Sequence, residues 1–230
     1  MLFDTAHPSP VSESFRALRT AILFRFRRVS GCRVLLTTSP NPEEGKTTVS
    51  LNLAAAFHQN HLKVLLIDAD LRKPKIHKIF DVEDARGLSD VLEGTARPRD
   101  VIAENVDGLG FDVLFSGPHS DHPTEILGSK QMSDMLTELK SHYDIIIIDS
   151  PPYLAVADVA VLNEYVDGIT VVTRYHKTDK RHLKDMKKRL SREAEKILGI
   201  VINQVSVKEK DYYYQQYYYY GYGDAKPRKR

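Results

Sequence analysis

The chain has 230 residues, 42% of them hydrophobic, enough for one globular domain with short ends. Its 33 basic and 31 acidic residues nearly cancel, so no global field calls for nucleic acid, and the single Cys32 excludes a disulfide scaffold and suits a reducing compartment. No apolar run approaches the roughly 20 residues of a membrane span and no signal-peptide pattern opens the chain, although a domain cut from a longer membrane protein would read the same way.

Residues 1–8 read as an extended lead-in. Ser9 followed by Pro10 predicts a helix start, with the serine as N-cap and the proline in the first turn, and Glu13 places a negative charge near the helix N-terminus. Phe15, Leu18, Ile22 and Phe26 form the apolar stripe of a helix running to about residue 28. Residues 33–38 are a short apolar strand. A Pro-rich turn, 39–45, leads into a helix over 46–59, and 63–68 is a second strand. A short helix lies between Gly87 and Gly94, residues 112–115 are a further candidate strand, and 131–141 are helical. Four consecutive isoleucines at 145–148 mark a strand buried on both faces. Two more apolar strands, 169–173 and 198–202, flank a long basic helix over about 179–196. Strands alternating with helices predict an α/β fold with a doubly wound, mostly parallel sheet, whose strand C-termini gather any ligand at one edge.

Gly45-Lys46-Thr47 closes a strand–turn–helix unit, the setting a phosphate-binding loop requires. Backbone N–H groups of the turn wrap a phosphate there, aided by the helix N-terminus. Lys46 then bridges β- and γ-phosphates, and Thr47 offers its hydroxyl to Mg²⁺. The general pattern opens with glycine where this chain has Pro40, so an ordinary helix start with an exposed lysine remains the plainer alternative. Two apolar strands end in carboxylates: Asp68 and Asp70 close one, Asp149 the other. Carboxylates at such strand ends hold the metal in nucleotide folds, although any one of them can instead cap a turn. Eight of the twelve tyrosines, Tyr212, Tyr213, Tyr214, Tyr217, Tyr218, Tyr219, Tyr220 and Tyr222, crowd a Gly-containing segment that ends in Lys226-Pro227-Arg228-Lys229-Arg230. No packed core needs such a run. It reads as a flexible tail, either a sticky low-complexity segment or a set of phosphate acceptors.

Together these motifs resemble the kinase domain of the bacterial tyrosine kinases (BY-kinases), P-loop autokinases of capsule and exopolysaccharide export, over nearly the whole chain. Residues 39–48 resemble that family's Walker A loop, which also lacks the opening glycine; 66–72 resemble its Walker A′ motif and 145–149 its Walker B. Glu13, Arg16 and Arg19 match its Glu-x-x-Arg-x-x-Arg oligomerisation motif. Glu43 departs from the pattern by standing where the family usually has glycine.

The resemblance implies ATP and Mg²⁺ as cofactors, with Pro42, Glu43, Glu44, Gly45, Lys46, Thr47 and Thr48 around the nucleotide. It implies Thr47, Asp68 and Asp149 at the metal, and Lys46, Asp68, Asp70 and Asp149 as the catalytic set. Asp70 is the group implied to accept or orient the tyrosine proton. Asn203 resembles the adenine-contacting asparagine of related ATPases, though a plain turn asparagine is an equal alternative. Further implications are a ring-like homo-oligomer, autophosphorylation of the tail between subunits, a membrane activator or polysaccharide co-polymerase in cis or trans, and a cognate tyrosine phosphatase. Nucleic acid is not among the expected partners, and the expected location is cytoplasmic, at the inner face of the membrane. The domain division so implied is 1–29 for the N-terminal segment and oligomerisation helix, 30–207 for the P-loop kinase domain and 208–230 for the tail. A partition-type ATPase of the same fold is one competing reading, against which stands Asn41 where those proteins carry a signature lysine. A nucleotide-sensing adaptor disabled by Glu43 is the other.

Overall fold

The computed structural model describes residues 9–28, 30–83 and 85–205. The lead-in at 1–8 and the whole tyrosine-rich tail, with its eight candidate phosphoacceptors, lie outside the described residues. Helix α1, Pro10–Arg25, starts as the sequence predicts: Ser9 Oγ accepts from Ser12 N and Ser9 N donates to Ser12 Oγ, closing a reciprocal cap. A 3₁₀ turn, Phe26–Arg28, continues it. There follow β1 (Arg33–Thr38), α2 (Lys46–His58), β2 (Val64–Asp68), α3 (Ile76–Ile79), α4 (Leu88–Leu92) and α5 (Pro98–Val101). The chain continues through β3 (Ile102–Ala103), β4 (Asp112–Leu114), α6 (Pro123–Leu127), α7 (Lys130–Leu139), β5 (Ile145–Asp149) and α8 (Asp158–Leu162). It closes with β6 (Gly168–Arg174), α9 (Lys180–Arg189) and β7 (Ile197–Asn203). Among the described residues no helix is long and apolar enough to cross a membrane.

The strands form one seven-stranded sheet in the order β3-β4-β2-β5-β1-β6-β7, all parallel except the β3–β4 pair. Side chains alternate along each strand, so every central strand feeds two cores. Leu35, Leu66, Ile145 and Ile147 face α1, α2 and α3; Val34, Leu36, Ile146 and Ile148 face α4, α6, α7, α8 and α9. This is the doubly wound P-loop sheet that the sequence predicts.

One local expectation changes. The basic helix ends at Arg189, short of residue 196. Met186 and Leu190 are buried, and once Leu190 is anchored the chain turns through a separate 3₁₀ segment, Ala194–Lys196, to enter β7. The apolar run of β7 is an edge strand, and Ile200 and Ile202 are largely exposed. Short elements without a full helical repeat, α3, α5, α6 and α8, carry no period long enough to read from sequence.

Candidate functional site

Central β1 delivers the chain into the 39–45 turn at the C-terminal edge of the sheet, beside the ends of β2 and β5. Neighbouring backbone holds the turn: Tyr153 N donates to the Ser39 carbonyl at 2.8 Å, and Ser39 Oγ donates to the Asn41 carbonyl at 2.6 Å. Glu44, buried, is the internal staple. Its carboxylate accepts from Asn41 N at 3.2 Å, Asn41 Nδ2 at 3.1 Å and Thr178 Oγ1 at 2.7 Å. The turn is thereby tied to the loop between β6 and α9. Pro42 and Glu43 are exposed at its tip. Glu43 has φ 61°, the left-handed region, so the position that resembles a family glycine keeps a glycine-like backbone despite its side chain. Gly45 has φ 90°, and a Cβ there would lie 2.1 Å from Asn203 Nδ2. Only glycine combines that backbone with that close approach.

Lys46, Thr47 and Thr48 open α2, whose N-terminal amides carry the partial positive charge that favours phosphate. Lys46 is buried to 8% exposure, so the exposed-lysine alternative does not describe it. Thr47 Oγ1 donates to Asp149 Oδ2 at 2.6 Å and Ser50 Oγ to Asp149 Oδ1 at 3.0 Å. Asp68 and Asp149 are register partners on β2 and β5, both buried. Burial pushes Asp149 up to about 6, against the lowering effect of Thr47, Lys46 and Ser50. Burial, and then the charge of Asp149, push Asp68 up to about 7, outweighing the backbone donors that favour its anion.

Asp68 also does what the capping alternative expects. Its Oδ2 accepts from Lys75 N at 3.3 Å and Ile76 N at 3.1 Å, holding the start of α3, and Oδ1 accepts from Asp70 N at 3.3 Å. Asp70 is half-buried and accepts from Lys73 N at 3.0 Å. Among the described residues no three His, Cys, Asp or Glu side chains cluster as a self-contained metal cage. The donors present fit a hard cation that keeps waters and substrate oxygens as ligands: a threonine hydroxyl and two buried carboxylates, all oxygen, with their charge incompletely offset.

Asn203 reaches the loop from the end of β7. Its Nδ2 donates to the Glu44 carbonyl at 3.1 Å, and its Oδ1 accepts from Gln204 N at 2.8 Å. Both ends of its amide are engaged with the protein. Glu13, Arg16 and Arg19 lie away from this edge, on α1. Arg16 pairs with Glu13, the intrahelical pair that spacing alone allows, and its Nε reaches Gln59 Oε1 at 3.4 Å. Arg19 Nη1 donates to the Ala56 carbonyl at 3.0 Å. These arginines dock α1 on the C-terminal end of α2.

Asp158, Thr124 and Thr178 escaped the sequence reading, and Arg72 entered it only as part of the 66–72 motif. Arg72 Nε and Nη2 clasp the fully buried Asp158 at 2.8 and 2.9 Å, and Thr124 Oγ1 donates to the same carboxylate at 2.5 Å. The clasp ties the segment after Asp70 to the starts of α6 and α8. Thr178 is the other missed contributor. Residues separated by about 50 to 130 positions carry no local spacing signal; only Arg72 belongs to a recognisable motif.

Residues 44–196 match the family described as AAA domain. Over 205 residues the chain is 40% identical to the tyrosine-protein kinase YwqD of Bacillus subtilis strain 168, covering 88% of this chain and 84% of that protein. A Klebsiella pneumoniae relative named as a tyrosine-protein kinase in a cps region is 35% identical over 93% of this chain, which spans only 29% of that longer protein. Among solved structures, the kinase domain of the Escherichia coli tyrosine kinase Etk superposes with a TM-score of 0.78 at 36% identity, over 85% of this chain and 78% of that one. A P-loop whose threonine bonds one of two paired strand-end aspartates, together with relatives of this identity and coverage, shows that the chain belongs to the bacterial tyrosine-protein kinases.

Proposed function

We propose that this tyrosine kinase uses ATP with Mg²⁺ to phosphorylate tyrosines of its own C-terminal tail, between subunits, in the control of polysaccharide polymerisation or export. The observation that carries the reading is the junction of Thr47, Asp149 and Asp68 at the mouth of the 39–45 turn, beside the buried Lys46. Residues 43–48 would hold the phosphates through backbone N–H groups, Pro42, which has no N–H, would shape the turn beside them, and Lys46 would offset charge on the γ-phosphate. Thr47, Asp68 and Asp149 would hold Mg²⁺, whose contribution when bound is charge neutralisation between β- and γ-phosphates. Transfer forms a bond from the tyrosine oxygen to the γ-phosphorus and breaks the bond to the β–γ bridging oxygen, leaving ADP. A phenol has an ordinary pKa of about 10, so its proton leaves late, and Asp70 chiefly aligns the hydroxyl before receiving it. Asn203 is the proposed reader of the nucleotide base, which requires its amide to release Glu44 or Gln204 on binding.

The Glu13/Arg16/Arg19 face of α1 is the proposed contact in a closed homo-oligomer that brings one subunit's tail to the next subunit's site. A membrane-bound polysaccharide co-polymerase as activator, a cognate phosphatase, and a location at the inner face of the membrane complete the reading; the cps name of the Klebsiella relative supports the pathway. The relatives' names do not favour a partition ATPase or a non-catalytic adaptor. The test is incubation with ATP and Mg²⁺ followed by mass mapping of phosphate. Phosphate should appear on tail tyrosines and vanish in Lys46→Met. Phosphate on serine or threonine, or its persistence in Lys46→Met, overturns the reading.

A further inference from the structure

Between residues 177 and 192 the chain carries eight lysines and arginines against two aspartates, and the proposed chemistry uses none of them. The fold puts this charge on one surface. Leu183, Met186 and Leu190 turn into the core, leaving Lys180, Lys184, Lys187, Lys188, Arg189 and Arg192 exposed. Among the described residues Arg181 is paired with Asp179, whereas those six form no ion pair; Asp185 is the one exposed acid on α9 itself. Unpaired like charges on one short helix face cost self-repulsion unless an anion covers them.

The tail leaves the fold beside this helix. Asn203 pairs with Arg174 at the last rung of the β6–β7 ladder, and Tyr175 N donates to the Asn203 carbonyl at 2.9 Å. The described chain ends two residues after that contact, at Val205. A helix of this length is about 15 Å long, and the seven residues from Val205 to Tyr212 span at most about 25 Å, so covalent reach covers the whole face. Residues 206–230 carry six basic and three acidic side chains, which α9 repels. Each phosphotyrosine adds about −1.5 to −2 charges, so about three phosphates reverse the sign of the segment.

We infer that the exposed basic face of α9 is the docking site of the phosphorylated tail, which binds it through phosphotyrosine–lysine and phosphotyrosine–arginine contacts. This rests on the proposed autophosphorylation and gives its product a destination. The unphosphorylated tail stays off the helix and free to enter a neighbour's site; the phosphorylated tail is withdrawn onto its own subunit.

The test bypasses catalysis. Synthetic peptides of residues 206–230, unphosphorylated or phosphorylated at Tyr212, Tyr214, Tyr218 and Tyr220, are titrated into intact Lys46→Met protein, whose own tail carries no phosphate. The phosphopeptide should bind in a salt-sensitive way and the plain peptide should not. Lys184→Ala with Lys187→Ala and Lys188→Ala should weaken binding on the order of tenfold, whereas the three Lys→Arg changes should keep it. Undiminished binding by the triple alanine variant, or no binding of phosphopeptide at all, overturns the inference. Capture of α9 by vesicles containing phosphatidylserine, lost in the triple alanine variant while phosphopeptide fails to bind, overturns it in favour of a membrane surface. Because the peptide is phosphorylated by synthesis, a negative result leaves the mass-mapping test of autophosphorylation standing, and the reverse also holds.

Discussion

Asp68 and Asp149 share a rung of the sheet, and burial holds both above the ordinary carboxylate value of 3.8. A raised carboxyl means that the folded state binds protons the unfolded chain has released. In nucleotide-free protein the contribution of this pair to stability is therefore complete below about pH 4 and is lost as pH rises through about 6 and 7. Thermal unfolding without nucleotide should show this decline, and Asp149→Asn should flatten it. Cation binding needs the anions, so Mg²⁺-dependent nucleotide affinity should fall as pH drops from 7 towards 5. At neutral pH, Asp149→Asn and Asp68→Asn should weaken Mg²⁺-dependent nucleotide binding. Asp70→Asn should spare binding and slow transfer roughly a hundredfold, the scale of losing one well-placed electrostatic contact. Equal binding losses in all three variants would remove the division of roles between Asp68 and Asp70.

Between elements, the Arg72–Asp158–Thr124 clasp joins the segment after β2 to α6 and α8. Asp158 has no exposure, so its charge depends on these donors, while the Arg72 side chain is 39% exposed and partly screened. Arg72→Ala leaves the buried carboxylate short of its main partner and should cost about 1–3 kcal/mol of stability, towards the lower end because of that screening. The clasp also tethers the turn that presents Asp70. Arg72→Ala should therefore lower the transfer rate by a larger factor than nucleotide affinity, with Arg72→Lys intermediate; denaturant unfolding beside single-turnover transfer measures both. A loss confined to stability would mean that the clasp serves only the fold. Asp68 has the same double character, because it starts α3 while facing Asp149.

At the scale of the whole molecule, Arg16 and Arg19 already bind the end of α2 within one subunit, through Gln59 and the Ala56 carbonyl. Their proposed contact with a neighbour must share or exchange those bonds. Arg16→Ala with Arg19→Ala should yield a smaller species in sedimentation, with reduced tail phosphorylation and near-normal ATP binding. It should also show a modest drop in melting temperature as α1 loosens from α2. A drop in melting temperature with unchanged size would assign the two arginines to α1 docking alone. Mixing Lys46→Met protein with a tail-deleted active protein should place phosphate on the former if transfer runs between subunits.

By itself the sequence determined the alternation of strands and helices, the P-loop with its glycine, lysine and threonine, and the two strand-end aspartates. These are local signals: a buried strand, a tight turn and a helix start each require particular residue types within a few positions. Family membership was legible for the same reason, because the motifs occupy contiguous segments. Only the tertiary structure decided which partners meet across the chain. It set Asp68 beside Asp149, closed Asn203 over Gly45, stapled Glu44 to Thr178, buried Asp158 under Arg72, and turned the arginines of α1 towards α2. It also ended α9 at Arg189, where the sequence suggested a longer helix, and set β7 at the exposed edge of the sheet. Those outcomes depend on strand order and on which face of each element is covered, and both are properties of packing between distant segments rather than of any local pattern.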